Sequence, residues 1–136
     1  MKPIRCTIVT PEKKVLDCET LFAAIPLQDG EVGIAAGRAP LVGRLGRGEL
    51  RLDYEGGVQG VFYVEGGFVE LSNDVITVLT DFAVQASRLR PAKLEIDLET
   101  ARNMPKTGPD AKKREEAIAR TKAMLHVARR NSRPTQ

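Results

Sequence analysis

The sequence predicts a mainly β N-terminal sandwich or flattened barrel followed by a C-terminal α-helical hairpin. Three observations carry that expectation. Short apolar runs separated by Gly, Pro, Asn and Asp fill the first two thirds of the 136 residues. Eleven of the twelve glycines and all six aromatics precede residue 88. Charge divides at the same place, with 8 basic and 12 acidic side chains in residues 1–87 against 13 basic and 6 acidic in 88–136. An acidic, glycine-punctuated unit at 1–87 and a basic, glycine-poor unit at 88–136 follow.

The β unit reads in order. Ile4 to Val9 is a first strand, and Pro11-Glu12-Lys13-Lys14 a turn. A run from Val15 to Ile25 stops at Pro26 and gives way to the glycine-spaced segment Asp29-Gly30-Glu31-Val32-Gly33-Ile34-Ala35-Ala36-Gly37. Leu50 to Tyr54 alternates, turns at Glu55-Gly56-Gly57 and pairs with Val58 to Glu65. Gly66-Gly67 breaks the chain, Phe68 to Leu71 follows, Ser72-Asn73-Asp74 turns, and Val75 to Leu79 is expected as the last strand. If the first two strands form a hairpin about Glu12, Cys6 faces Cys18.

The helical unit opens at Pro91, suited to a first helical turn, and runs to about Met104 with Leu94, Leu98 and Ala101 on one face. Pro105-Lys106-Thr107-Gly108-Pro109 ends it. Asp110 caps a second helix to about Asn131, with an apolar stripe of Ala117, Ile118, Thr121, Met124, Leu125 and Ala128. A short connection makes an antiparallel hairpin, and its Ala-rich stripes make it the less stable unit.

Several function classes are set aside. No apolar run approaches the ~20 residues of a membrane span, and the charged N-terminus lacks a signal-peptide core, so secretion is not expected. His126, the one histidine, has neither a nucleophile elbow nor an orienting partner in the sequence. Cys6 and Cys18 without further Cys or His do not complete a zinc site, so no metal is expected and the thiols are expected reduced. Gly43-Arg44-Leu45-Gly46-Arg47-Gly48 lacks both dinucleotide and P-loop spacing and reads as turns and bulges. The basic helix lacks aromatics for base stacking, so single-strand nucleic-acid binding is not expected. An acidic protein partner stays open.

Three segments resemble the epsilon chain of the bacterial F-type ATP synthase. They are Val9-Thr10-Pro11-Glu12; Pro26 with Gly30-Glu31-Val32-Gly33-Ile34 and Gly37-Arg38-Ala39-Pro40-Leu41; and Gly66-Gly67-Phe68-Val69-Glu70 with Asn73-Asp74-Val75-Ile76-Thr77-Val78-Leu79. The resemblance implies a non-catalytic central-stalk (rotor) subunit that couples proton flow through the c-ring to ATP synthesis. It implies gamma chain and c-ring as partners of the sandwich, with Gly30-Glu31-Val32-Gly33 as a ring-facing loop and Asp29, Glu31, Val32 and Arg38 at that interface; the family usually carries His where this sequence has Arg38. It further implies a hairpin that extends toward the alpha and beta chains of the catalytic head and hinders ATP hydrolysis through Arg114, Arg120, Lys122, Arg129 and Arg130. The location implied is peripheral, on the cytoplasmic face of the bacterial inner membrane, with membrane contact only through the complex. No resident cofactor is expected. The family's Ile/Leu-Asp-x-x-Arg-Ala nucleotide motif is matched imperfectly in two registers, which nominate Asp97, Glu99 and Arg102. The alternative reading is a free-standing adaptor whose basic hairpin binds RNA or an acidic protein.

Overall fold

The computed structural model describes residues 2–131, and contacts divide the chain into two compact units between Gln85 and Ala86. The first is a sandwich of ten strands: β1 Ile4–Val9, β2 Lys14–Thr20, β3 Phe22–Leu27, β4 Gly30–Ile34, β5 Leu41–Arg44, β6 Arg47–Asp53, β7 Gln59–Glu65, β8 Phe68–Ser72, β9 Val75–Leu79 and β10 Phe82–Gln85. The front sheet has the order β2-β1-β9-β8-β5 and the back sheet β10-β7-β6-β3-β4. All ladders are antiparallel except β1–β9.

Period-two patterning produces the core. In β1 the even residues Ile4, Cys6 and Ile8 are buried, and they meet Leu50, Leu52, Phe62, Val64, Val69, Leu71, Ile76 and Val78 from both sheets. Phe62 and Val64 point inward, and Tyr63 is fully buried with its ring 6.2 Å from that of Phe82, edge to face.

The structure corrects four sequence expectations. The run from Val15 to Ile25 is two strands, because the chain changes sheet at Leu21. No glycine or proline marks this corner. Buried Thr20 makes it, its one hydroxyl proton shared between the carbonyls of Phe22 (3.0 Å) and Asp53 (2.9 Å). Val75–Leu79 is not the last strand: Thr80 builds the same corner, donating to Glu65 O and Phe82 O, and β10 follows in the back sheet. The two corners share the sequence Thr-x-Phe-Ala, at Thr20-Leu21-Phe22-Ala23 and Thr80-Asp81-Phe82-Ala83. Gly30–Ile34 is a strand rather than a loop, and Pro26 lies inside β3 instead of ending it. Proline is tolerated there because the β3–β6 ladder covers only Phe22 to Ala24. Lastly, Gly43 and Gly48 sit within β5 and β6, with only Gly46 at the crossing between sheets.

The Cys6–Cys18 pairing holds. Arg5 N–H donates to Asp74 O and Val9 O accepts from Thr80 N–H, so odd residues of β1 bond toward β9 and even residues toward β2. Cys6 and Cys18 therefore form a hydrogen-bonded pair, the wider of the two antiparallel spacings. A disulfide needs Cβ atoms about 3.5–4.5 Å apart, and this pair type sits at the far end of about 4.5–5.5 Å. Both cysteines are free.

The second unit holds α1 Pro91–Arg102 and α2 Ala111–Asn131. Pro91 occupies the first turn of α1, and Asp110 stands directly before α2, its carbonyl accepting from Arg114 N–H at 3.0 Å. Leu94, Leu98, Leu125 and Ala128 form a small buried cluster, flanked by Leu89, Ile118 and Met124. Among the described residues no helix is long and apolar enough to cross a membrane.

Candidate functional site

The interface residues expected from the sequence lie along and beyond β4. The β3–β4 hairpin turns at Gln28-Asp29, where Leu27 pairs with Gly30, so exposed Asp29 is at the tip. Glu31 is exposed on β4 opposite Pro26, and Val32 is half-buried. Gly33 leaves room for Phe22, whose ring would stand 2.8 Å from a Cβ at that position. Arg38 is exposed beyond the other end of β4, separated from Asp29 by a five-residue strand spanning roughly 13 Å. Asp29, Glu31 and Val32 thus share one hairpin, and Arg38 belongs to the β4–β5 crossover.

Beside that crossover the front sheet turns an apolar face outward. Val42 is 76% exposed, Phe68 and Leu79 52% each, and Val75 40%. Register pairs Phe68 directly with Leu79 and sets Arg44 on its other side, while Val42 lies opposite Glu70 and Val75 opposite Ser72. The Arg44 guanidinium stands 5.8 Å from the Phe68 ring centroid. Pro40, Leu41, Val42, Glu70, Leu71 and Ser72 line a groove of about 360 Å3 at its margin. Sequence reading missed this face. Its signal is Val75-Ile76-Thr77-Val78-Leu79, where Ile76 and Val78 serve the core while Val75 and Leu79 are apolar on the opposite parity, the pattern of a strand covered on both faces.

In the hairpin the five basic candidates differ in what they touch. Half-buried Arg114 donates from Nε to the carbonyl of Arg102 (3.3 Å), closing the C-terminus of α1. Arg129 pairs with Glu95 across the hairpin. Arg120 is half-buried, while Lys122 and Arg130 are exposed. Of the nucleotide candidates, Asp97 lines a cavity of about 470 Å3 together with Arg88, Arg90, Lys93, Arg120 and Thr121; Glu99 and Arg102 lie outside that lining. His126 is exposed on α2.

The thiols sit in a different environment. Burial, with Cys18 and Asp17 nearby, pushes the Cys6 thiol up to about 12. Cys18 Sγ is 3.8 Å from the Tyr54 hydroxyl, and burial raises that phenol too. Among the described residues no three His, Cys, Asp or Glu side chains cluster to hold a metal ion.

Residues 3–86 match the family model described as ATP synthase, Delta/Epsilon chain, beta-sandwich domain. The chain belongs to the ATP synthase delta/epsilon chain family. This epsilon-family chain is 40% identical to the ATP synthase epsilon chain of Rhodopirellula baltica over 127 residues, covering 93% of this chain and 98% of that one. It is 34% identical to the ATP synthase epsilon chain of Polynucleobacter necessarius over 93 residues, 68% of this chain and 67% of that one. A chain in the structure of Euglena gracilis mitochondrial ATP synthase, OSCP/F1/c-ring, superposes with TM-score 0.73 at 26% identity, over 93% of this chain and 78% of that chain. A chain in the Tetrahymena thermophila mitochondrial ATP synthase central stalk/c-ring shares the fold, with TM-score 0.66 at 15% identity over 97% and 98% of the two chains. The epsilon-family chain is thereby a subunit type of an enzyme complex, and the two-layer sandwich followed by a helical pair is the architecture it shares with these neighbours.

Proposed function

We propose that this chain is a non-catalytic rotor subunit of the central stalk of a proton-translocating F-type ATP synthase. The observation that carries the reading is the apolar outer face of the front sheet in a chain of this family. An exposed set of Val42, Phe68, Val75 and Leu79 suits burial against a partner, and we assign it to the gamma chain. Arg38 and the groove beside Val42 extend that contact. Asp29, Glu31 and Val32, on the separate β3–β4 hairpin, are assigned to the c-ring. In this reading the sandwich passes torque between ring and stalk, on the cytoplasmic face of the bacterial inner membrane, and reaches the membrane only through the complex.

The hairpin is assigned a second role, restraint of ATP hydrolysis by contact with the alpha and beta chains. Its net positive charge and small buried cluster support a segment that exchanges its own contacts for contacts with an acidic surface. Arg114 and Arg129, engaged within the folded hairpin, become available when it opens, and Arg120, Lys122 and Arg130 are assigned to the same contact. The cations around the Asp97 cavity favour an anionic ligand such as ATP in the folded hairpin. Calorimetric titration with ATP checks this, and absence of binding at millimolar ATP ends it.

Co-expression with the gamma chain and catalytic head tests the main reading. Recovery in stoichiometric complex with gamma is expected, and removal of residues 88–136 should preserve assembly while raising ATP hydrolysis. Failure to associate with gamma, with capture of RNA instead, would establish the adaptor alternative.

A further inference from the structure

We propose that Asp74, in the turn between β8 and β9, is the positioning residue of the β4–β5 crossover, holding Arg38 and Pro40 in the pose that meets the partner of the front sheet. The partner half of this proposal rests on the rotor reading above.

The turn itself raises the question. Ser72 pairs with Val75, so Asn73-Asp74 is a two-residue hairpin loop, and both residues have positive φ, +50° and +62°. A loop of this kind prefers Asn-Gly, because glycine takes the left-handed conformation without a Cβ clash. Aspartate in the glycine position is the weaker choice for the backbone, and its side chain does what glycine cannot. Oδ1 accepts the backbone N–H of Gly37 at 2.9 Å, across 37 residues of sequence. Oδ2 stands 3.6 Å from Lys2 Nζ, which sets an ammonium beside the same carboxylate.

The crossover needs such a tether. It leaves the edge strand of the back sheet and enters the edge strand of the front sheet, so neither flank is held by a ladder on both sides. Its own bond, Arg38 N–H to Ala35 O, is long at 3.3 Å, and Gly37 at φ +86° is a flexible pivot directly before Arg38. β5 begins where Leu41 pairs with Leu71, three residues from Asp74, so the tether is tied at the end of the sheet where the crossover arrives. With Gly37 fixed, Arg38 and Pro40 have one pose. Without that bond they sample many, and only a fraction of molecules present the surface that the partner fits.

The test compares Asp74→Asn and Asp74→Gly in the full chain. Asparagine keeps an acceptor oxygen and tolerates the positive φ, whereas glycine relieves the backbone and removes the acceptor. Asp74→Gly should melt within a few degrees of wild type, exchange the Gly37 amide faster, and bind the gamma chain about fivefold more weakly, the value of one net hydrogen bond. Asp74→Asn should restore slow Gly37 exchange and bind gamma within about twofold of wild type. Unchanged exchange at Gly37 in Asp74→Gly overturns the tether. Wild-type affinity in Asp74→Gly, or equal loss in both variants, overturns the positioning role. A wild-type chain that does not bind gamma at all defeats the rotor reading and the partner half with it, a result separate from the exchange measurement.

Discussion

Substituting Gly67 by alanine should strongly destabilise the sandwich without abolishing its fold. Gly66-Gly67 carries the chain from β7 in the back sheet to β8 in the front sheet, and Gly67 has φ +102°. A Cβ there would lie 1.9 Å from the carbonyl oxygen of Leu79 and 2.9 Å from Thr80 Cα, which are backbone atoms without a rotamer to escape into. Relief requires the β8–β9 ladder to part by about 1 Å where Phe68 pairs with Leu79, or Gly67 O to release the Leu45 N–H that it accepts at 2.9 Å. Backbone strain of about 1–2 kcal/mol and a lost or stretched ladder bond of about 1–2 kcal/mol give about 3 kcal/mol. A domain of this size has roughly 4–13 kcal/mol in total, so the melting temperature should fall by about 12–24 °C. Gly66→Ala is the internal comparison: φ is +72°, yet the Cβ meets the Asp81 carboxylate, which can swing away, so a fall of about 5 °C is expected. Near-ultraviolet circular dichroism reads the sandwich alone, because both tyrosines, Tyr54 and Tyr63, lie in it. Equal shifts for the two variants would refute the steric argument.

On the outer face of the front sheet, Phe68→Glu should leave the melting temperature within about 2 °C, as an exposed substitution does, while weakening gamma binding at least tenfold in a pull-down titration. For Cys6, folding raises the thiol from an ordinary value near 9.0 to about 12, so the unfolded chain loses its proton first. Stability contributed by the neutral thiol is complete below pH 9 and is lost as pH rises toward 12, by about 1.4 kcal/mol per unit. Denaturant midpoints should be level between about pH 7 and 8 and fall above pH 9, approaching that slope between about pH 10 and 11, and Cys6→Ala should abolish the difference. Oxidation of the native protein with hydrogen peroxide should leave Cys6 and Cys18 unbridged by mass spectrometry, given the hydrogen-bonded register.

What could be read from the sequence was what obeys short-range rules. The Cys6–Cys18 register followed from a turn placed midway between two strands, and the helix limits followed from Pro91, Pro105 and Asp110. The corner at Leu21 escaped notice because its device is a threonine hydroxyl reaching a carbonyl 33 residues away, and no local pattern announces that. β5 and β10 are four residues each, too short for periodicity to register. On the site, Asp29 at the hairpin tip and Arg38 in the crossover come only from the family resemblance that the surrounding motifs carry, not from the residue pattern itself. Arg88 and Arg90 are not nominated at all, since both precede α1 and only folding gathers them with Arg120 of α2 around Asp97.

The repeated Thr-x-Phe-Ala corners have a mechanical meaning. Two stacked sheets joined by apolar packing alone resist separation but slide readily past each other, since packing is non-directional. Thr20 and Thr80 each bind two carbonyls where the chain passes between layers, so any shear must break directional bonds at two places. Replacing either hydroxyl by valine would keep the side-chain outline while removing the donor, although Asp53 O would keep the Leu21 N–H at 2.9 Å. Such a layer pair would melt lower by about 4–8 °C for each kcal/mol lost, and under force it would yield to shear before its core separates.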